Sequence, residues 1–223
     1  MNRLKATTRI NVTKFAGMVV GFGSVVVLLM GQEVAIRAQE AQTKAQTPAP
    51  KAQARPHGQR VKVDPAAIIV EDGDGVDIHW GNSDNEIVRI LGIDTPEVRR
   101  LEHNLPYDQP FGLEAKAFAQ GAFAAATDVE LLRSPTLDPY GRTLAYLFIN
   151  GRNYSVMVIK ARYSDETVSH YGDNGLAKEA AEVTAAAKEA GANLLPFEPP
   201  FQYRARMRAL TTALKQSGQY PGN

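Results

Sequence analysis

Residues 87–97 read Ile-Val-Arg-Ile-Leu-Gly-Ile-Asp-Thr-Pro-Glu. An apolar strand carries one arginine in its middle, Arg89, and stops at a turn holding two carboxylates, Asp94 and Glu97. An arginine inside an apolar strand costs free energy unless an anion meets it. Paired carboxylates on a turn are hard oxygen donors suited to a cation. On this stretch alone two readings stand open. One is a structural salt bridge from Arg89 to Asp94 or Glu97 at a strand end. The other is a phosphoryl-transfer site, in which cation, carboxylates and arginine work together.

Two flanking motifs bear on the choice. Upstream, Glu71-Asp72-Gly73-Asp74-Gly75 is a tight turn between strands, with a positive φ available at Gly73 or Gly75. Asp74 projects from it. Downstream, Asp138-Pro139-Tyr140-Gly141-Arg142 is a second turn that sets Arg142 at the start of a strand. Each motif alone is a common hairpin sequence. Together they place three acid- and arginine-bearing turns at strand junctions within one domain-sized span.

The surrounding pattern supplies the elements. Residues 67–70 and 76–80 are strands about the acidic turn. In the second, Val76, Ile78 and Trp80 alternate with Asp77 and His79, a period of two. Residues 87–93 form the third strand. Residues 111–126 are alanine-rich, with Phe111, Ala115, Phe118 and Ala122 on one face, which predicts a helix. Residues 129–133 and 142–149 are two more strands. Asn153 caps a short helix. A last helix carries Leu176, Ala180, Val183 and Ala187, begins at Asp173 or Asn174 and stops at Gly191. The order βββ-α-ββ-α-α predicts a mainly β, α+β domain: a five-stranded OB-fold Greek-key barrel with about three helices.

With 223 residues the chain accommodates one ordinary domain plus extensions. It has no cysteine, which excludes disulfides, thiolate metal sites and thiol catalysis. The net charge of +1 is unevenly spread. Residues 1–60 hold nine Lys/Arg against two Asp/Glu, and residues 61–223 hold sixteen against twenty-two. The globular part is therefore acidic. A polyanion would be gripped locally by arginines and a cation, not drawn in by a long-range field.

Arg3, Lys5, Arg9 and Lys14 precede an uncharged apolar run over residues 15–31. A basic flank before such a run predicts an export signal or an uncleaved membrane anchor over 1–37, with the remainder outside the cytoplasm. Residues 38–60, mostly Ala, Gln, Pro, Thr and Lys, form a linker expected to be disordered. The globular domain then spans 61–195. Residues 196–223 are a proline-rich, then basic, C-terminal extension with one short helix.

The three motifs, in this order and on this strand–helix order, resemble the staphylococcal nuclease (thermonuclease) family over roughly residues 61–195. The resemblance implies an OB-fold, calcium-dependent nuclease that cleaves DNA and/or RNA; a monomer is expected. Carried over by motif, it implies Asp74 and Asp94 as calcium ligands, with Thr95 contributing its backbone carbonyl. It implies Glu97 as the catalytic carboxylate, Arg89 and Arg142 as phosphate-clamping arginines, and Tyr140 beside the nucleotide. Gly75 and Pro139 depart from the family's usual Thr and Lys. Tyr163 and Tyr171 are the nearest candidates for its nucleotide-contacting tyrosines. The competing expectation is a non-catalytic OB-fold module that binds nucleic acid or protein at the envelope. The retention of all five charged site residues favours the enzyme.

Overall fold

The structure, a computed structural model, describes residues 55–191 and 195–221. The expected signal or anchor over 1–37 and most of the 38–60 linker lie outside the described residues. Among the described residues, no helix is long and apolar enough to cross a membrane.

Seven strand segments form one mixed sheet: β1 (Arg60–Val63), β2 (Ile68–Val70), β3 (Gly75–Gly81), β4 (Asp84–Ile90), β5 (Val129–Leu137), β6 (Thr143–Ile149) and β7 (Arg152–Asn153). The hydrogen-bonded order is β1-β5-β6-β4-β3-β2, with β7 on β6. The sheet curls into a half-barrel. Five strands are expected from sequence, and the difference has local causes. Arg60–Val63 adds β1, which is not expected from sequence; Asp64 Oδ1 accepts the Ala66 amide at 2.9 Å and starts a 3₁₀ turn at Pro65–Ala67 that separates β1 from β2, the strand expected at 67–70. Residues 152–153 add β7 as a two-residue return against β6. Pro135 does not end β5; a register shift between Arg133 and Leu137 absorbs it.

Among the described residues only β4 and β6 pair in parallel, Val88 beside Thr143 and Arg89 beside Leu144. A parallel step needs a long crossover. Residues 91–142 supply it, including α1 (Gly112–Ala124) and β5. The core is built from the alternating inward side chains of the sheet, among them Val76, Ile78, Val88, Ile90, Leu131 and Leu147. Phe123 of α1 and three further helices close it: α2 (Tyr154–Lys160), the single turn α3 (Val168–Tyr171) and α4 (Ala177–Ala190). Tyr154 and Val183 are fully buried there. The Asn153 side chain accepts the Ser155 amide at 3.1 Å, the cap expected from sequence.

α4 starts at Ala177, later than Asp173 or Asn174. Asp173 instead accepts the Gly175 amide at 2.9 Å in a local turn. Asn174 sits at φ 51°, a left-handed conformation that cannot open a right-handed helix. The largest difference lies at the C-terminus. The extension forms α5 (Pro200–Gln216), 17 residues long. Pro200 suits its first turn, where no intrahelical N–H partner is lost. Tyr203 and Met207 bury against Leu105 in a small second cluster. The Tyr203 hydroxyl donates to the Tyr107 carbonyl at 2.8 Å, and the Thr211 hydroxyl to the Asn104 carbonyl at 3.0 Å. α5 is thereby fastened along the 98–110 loop.

Candidate active site

Asp74 is placed by the turn between β2 and β3. The Glu71 amide donates to the Gly75 carbonyl at 3.0 Å, and the Asp74 amide to Asp72 Oδ1 at 3.0 Å. Neither Gly73 nor Gly75 has a positive φ, so the conformational expectation for them is corrected. The glycines are there for space. A Cβ on Gly75 would stand 2.9 Å from Asp72 Oδ1, and Gly73 faces Thr95.

Arg89 lies on β4, opposite Gly75 of β3. Its guanidinium contacts Asp74 Oδ1 and lies 2.8 Å from Asp94 Oδ1. It also donates to the Ile93 carbonyl at 3.2 Å. Asp94 is held from behind, its amide donating to Ser164 Oγ at 2.8 Å. Thr95 donates through both its amide, at 2.5 Å, and its hydroxyl, at 3.0 Å, to Asp74 Oδ2. Asp74, Arg89, Asp94 and Thr95 therefore form one connected cluster at the end of β4. Asp74, Asp94 and Thr95 are buried. The salt bridge to Asp94 read from the sequence is present, and Arg89 makes it beside the second aspartate, Asp74.

Glu97 follows on the same turn. Its amide donates to Gln109 Oε1 at 3.1 Å, and its carbonyl accepts the Gln109 amide at 2.8 Å. The start of α1 presses on it: a Cβ on Gly112 would lie 2.2 Å from the Glu97 carbonyl oxygen. Burial raises the Glu97 pKa above its ordinary value, against the opposing effect of the nearby Arg204 guanidinium.

Arg204, on α5, reaches this turn. Its Nη1 lies 2.9 Å from Asp94 Oδ1 and 2.5 Å from Glu97 Oε1, and its Nη2 donates to Asp94 Oδ2 at 3.0 Å. Burial alone would lower the Arg204 pKa, but Asp94 and Glu97 outweigh it and raise it. Sequence reasoning left Arg204 as a basic residue of an extension. The available signal was the adjacent Tyr203–Met207 pair, an i,i+4 apolar spacing that marks a buried helix face. Gln109 was also missed. It is buried, and besides clamping Glu97 it donates to the Glu198 carbonyl at 2.6 Å.

Arg142 and Tyr140 are not brought into the carboxylate cluster. The Arg142 guanidinium is paired with Asp138 of its own turn, with Nε 2.5 Å from Oδ2. Asp138 Oδ1 also accepts the amides of Tyr140 and Arg142 at 3.0 and 2.9 Å. Tyr140 is 85% exposed, and the Arg142 guanidinium carbon lies 5.7 Å from its ring centre. Tyr163 packs on Phe118 at 5.4 Å between ring centres, while Tyr171 is exposed.

The donor chemistry fits a hard divalent cation. Asp74, Asp94, Glu97 and the Thr95 carbonyl offer oxygen only. A positively charged group, the Arg204 guanidinium, already bridges two of the three carboxylates. Among the described residues, no group of three or more His, Cys, Asp or Glu is gathered closely enough to hold a metal as the side chains stand. The carboxylates are spaced by the two guanidiniums, not by a shared ligand sphere.

Residues 87–195 match the family described as Staphylococcal nuclease homologue. The chain is similar to an uncharacterized protein of Methanocaldococcus jannaschii, 30% identical over 47% of this chain and 59% of the relative. It is similar to an uncharacterized protein of Bacillus anthracis, 32% identical over 56% of this chain and 57% of the relative. It is also similar to a thermonuclease of Staphylococcus intermedius, 37% identical over 41% of this chain and 52% of that protein. The chain thus spans little more than half the length of each of these relatives. The matched segment begins within the strand that carries Arg89 and takes in Asp94, Thr95, Glu97 and Arg142, which supports a staphylococcal nuclease-like family for this segment.

Proposed function

We propose that the protein is a calcium-dependent nuclease that hydrolyses phosphodiester bonds of DNA and/or RNA by attack of water. The observation that carries this reading is the joining of two separate turns, through Asp74 and Asp94, by the single Arg89 guanidinium, with Glu97 beside them. A phosphodiester resists attack because its oxygens are negative and gain charge during displacement. Arg89 donates forked hydrogen bonds to those oxygens, more strongly as charge builds. Arg142 does the same once it exchanges Asp138 for phosphate. Lysine lacks that planar fork. Glu97 orients the attacking water and takes its proton; burial raises its proton affinity and suits it to that task. Tyr140, exposed at the rim, offers a face to the nucleotide. Asp74, Asp94 and the Thr95 carbonyl would hold the calcium ion, which when bound neutralises charge on a phosphate oxygen. The tight turn between β1 and β2 and the parallel β4–β6 step support an OB-type Greek-key barrel as the scaffold.

The basic flank and the uncharged run at 15–31 support export of a monomeric domain, secreted, periplasmic or anchored in the membrane by its N-terminal segment. Residues 38–60 are then the tether. A phosphatase fused at the C-terminus should report the outer side; an active cytoplasmic product would overturn this part.

A non-catalytic binding module is the second reading. The Arg204 contact favours it, because it occupies Glu97 and Asp94. Incubating the full chain with single-stranded DNA, first in calcium and then in excess chelator, separates the two. Cleavage in calcium that stops in chelator supports the nuclease; DNA binding without cleavage in either condition supports the module.

A further inference from the structure

We infer that α5 is an autoinhibitory strap, and that the Arg204 guanidinium occupies Asp94, which a divalent cation must reach, together with the neighbouring Glu97. The inference rests on the proposed metal-assisted nuclease reading and adds its regulation.

The geometry is that of a stand-in cation. Arg204 Nη1 touches one oxygen of Asp94 and one of Glu97, and Nη2 takes the other oxygen of Asp94. Arg89 shares Asp94 Oδ1. Both Asp94 oxygens are therefore committed to guanidinium groups, and neither is free for a metal. Asp74, Asp94 and Glu97 carry three negative charges; Arg89 and Arg204 return two. With Arg204 in place the cluster attracts a doubly charged ion weakly; without it the deficit doubles. A cation and Arg204 thus exclude each other by contact and by charge.

The strap is held independently of that contact. The Met207 and Tyr203 side chains pack against Leu105. Gln109 donates to the Glu198 carbonyl, and the Tyr220 hydroxyl to the Leu101 carbonyl at 2.7 Å. Arg204 is therefore delivered by a docked helix rather than by chance pairing. Its side chain remains 28% exposed, so it has a path out. The buried Glu86–Arg133 pair has no such path, with side chains only 1–2% exposed. The fraction of molecules with α5 released sets the apparent affinity for the cation.

Calcium titrated into the full chain by calorimetry tests this. Arg204→Ala should lower the dissociation constant by about tenfold or more. Met207→Ala, which keeps Arg204 but loosens its helix, should lower it less. Asp94→Asn should abolish binding in both backgrounds. Hydrogen exchange in residues 200–216 of the unaltered protein should quicken when calcium is added. Equal or weaker binding by Arg204→Ala, with binding still lost in Asp94→Asn, overturns the strap while leaving the cation site standing. Binding untouched by Asp94→Asn, or no binding in Arg204→Ala, defeats the site reading and the strap with it. If Arg204→Ala fails to fold, Met207→Ala and the exchange measurement decide. No gain in affinity and no quickening of exchange would overturn the strap.

Discussion

Gly73 packs against Thr95 with no room for a side chain: a Cβ there would stand 2.6 Å from Thr95 Oγ1 and 2.9 Å from its Cβ. This closeness lets the Thr95 amide and hydroxyl both reach Asp74. The Gly73 backbone is not in a left-handed conformation, so the constraint is contact alone. Gly73→Ala should destabilise the fold by about 1–3 kcal/mol, as overpacking does, and weaken calcium binding by displacing Asp74. Urea denaturation checks the first effect. A loss below about 0.5 kcal/mol, the scatter of surface substitutions, would show that the turn yields freely.

Arg89 and Arg142 should part company on stability. Arg89 is mostly buried between two aspartates. Arg89→Ala leaves both carboxylates short of a partner, which should cost about 3 kcal/mol or more. Arg142 is half-exposed and tied only to its own turn, so Arg142→Ala should cost under about 1 kcal/mol. Turnover per folded molecule should still fall on the order of 10²-fold in each, because both fork onto the phosphate. Melting curves and single-turnover cleavage on the same preparations measure the contrast. A purely structural Arg89 would leave turnover proportional to folded protein.

Glu97→Gln keeps size and hydrogen bonding but cannot take a proton. Turnover should drop by roughly 10²–10⁴, with the melting temperature near that of the parent. Nucleotide binding should survive this change better than the loss of either arginine, since Glu97 is anionic and does not attract phosphate. Unchanged turnover would remove Glu97 as the base.

Away from the site, Glu86 predicts how the fold responds to acid. It is buried and accepts from Arg133 Nε and Nη2 at 2.7 Å each, Thr143 Oγ1 at 2.7 Å and Trp80 Nε1 at 2.8 Å. Burial alone would raise its pKa. The Arg133 and Thr143 hydrogen bonds outweigh burial and lower it below the ordinary 4.5. A carboxyl depressed in the folded state gives stability that is complete above its unfolded pKa and fades as pH falls through the folded one. Stability measured from about pH 7 downward should hold until about pH 5 and then decline. Glu86→Gln should flatten that decline. It should also lower stability at neutral pH by about 3 kcal/mol or more, since Arg133 is left buried without its counter-charge.

The site's inner cluster was legible because its chemistry is local. Arg89, Asp94 and Glu97 lie within nine residues, and an arginine on an apolar strand announces an anion. Asp74 was legible as an acid between glycines, although those glycines serve packing and not backbone handedness. Arg142 was legible as a turn residue, but nothing local shows that Asp138 holds its guanidinium. Arg204 was not legible as a partner of Asp94, since 110 residues separate them and only the docking of α5 brings them together. β1 was not legible, because Asp64-Pro65, a capped turn, sets it apart from the expected strand and four residues are too few for hydrophobic periodicity to register.

That short turn reaches beyond topology. β1 and β2 are the two ends of the hydrogen-bonded order and also consecutive in the chain, separated by only residues 64–67. The two end strands of the sheet are therefore four and three residues long. Rows of unpaired amides and carbonyls that short give a passing strand little to zip onto. The longer strands β3 to β6, rich in Val, Ile and Leu, each lie between two neighbours. A chain that turns this tightly between β1 and β2 lays one short strand over Val129–Leu132 of β5 and another over Val76–Ile78 of β3.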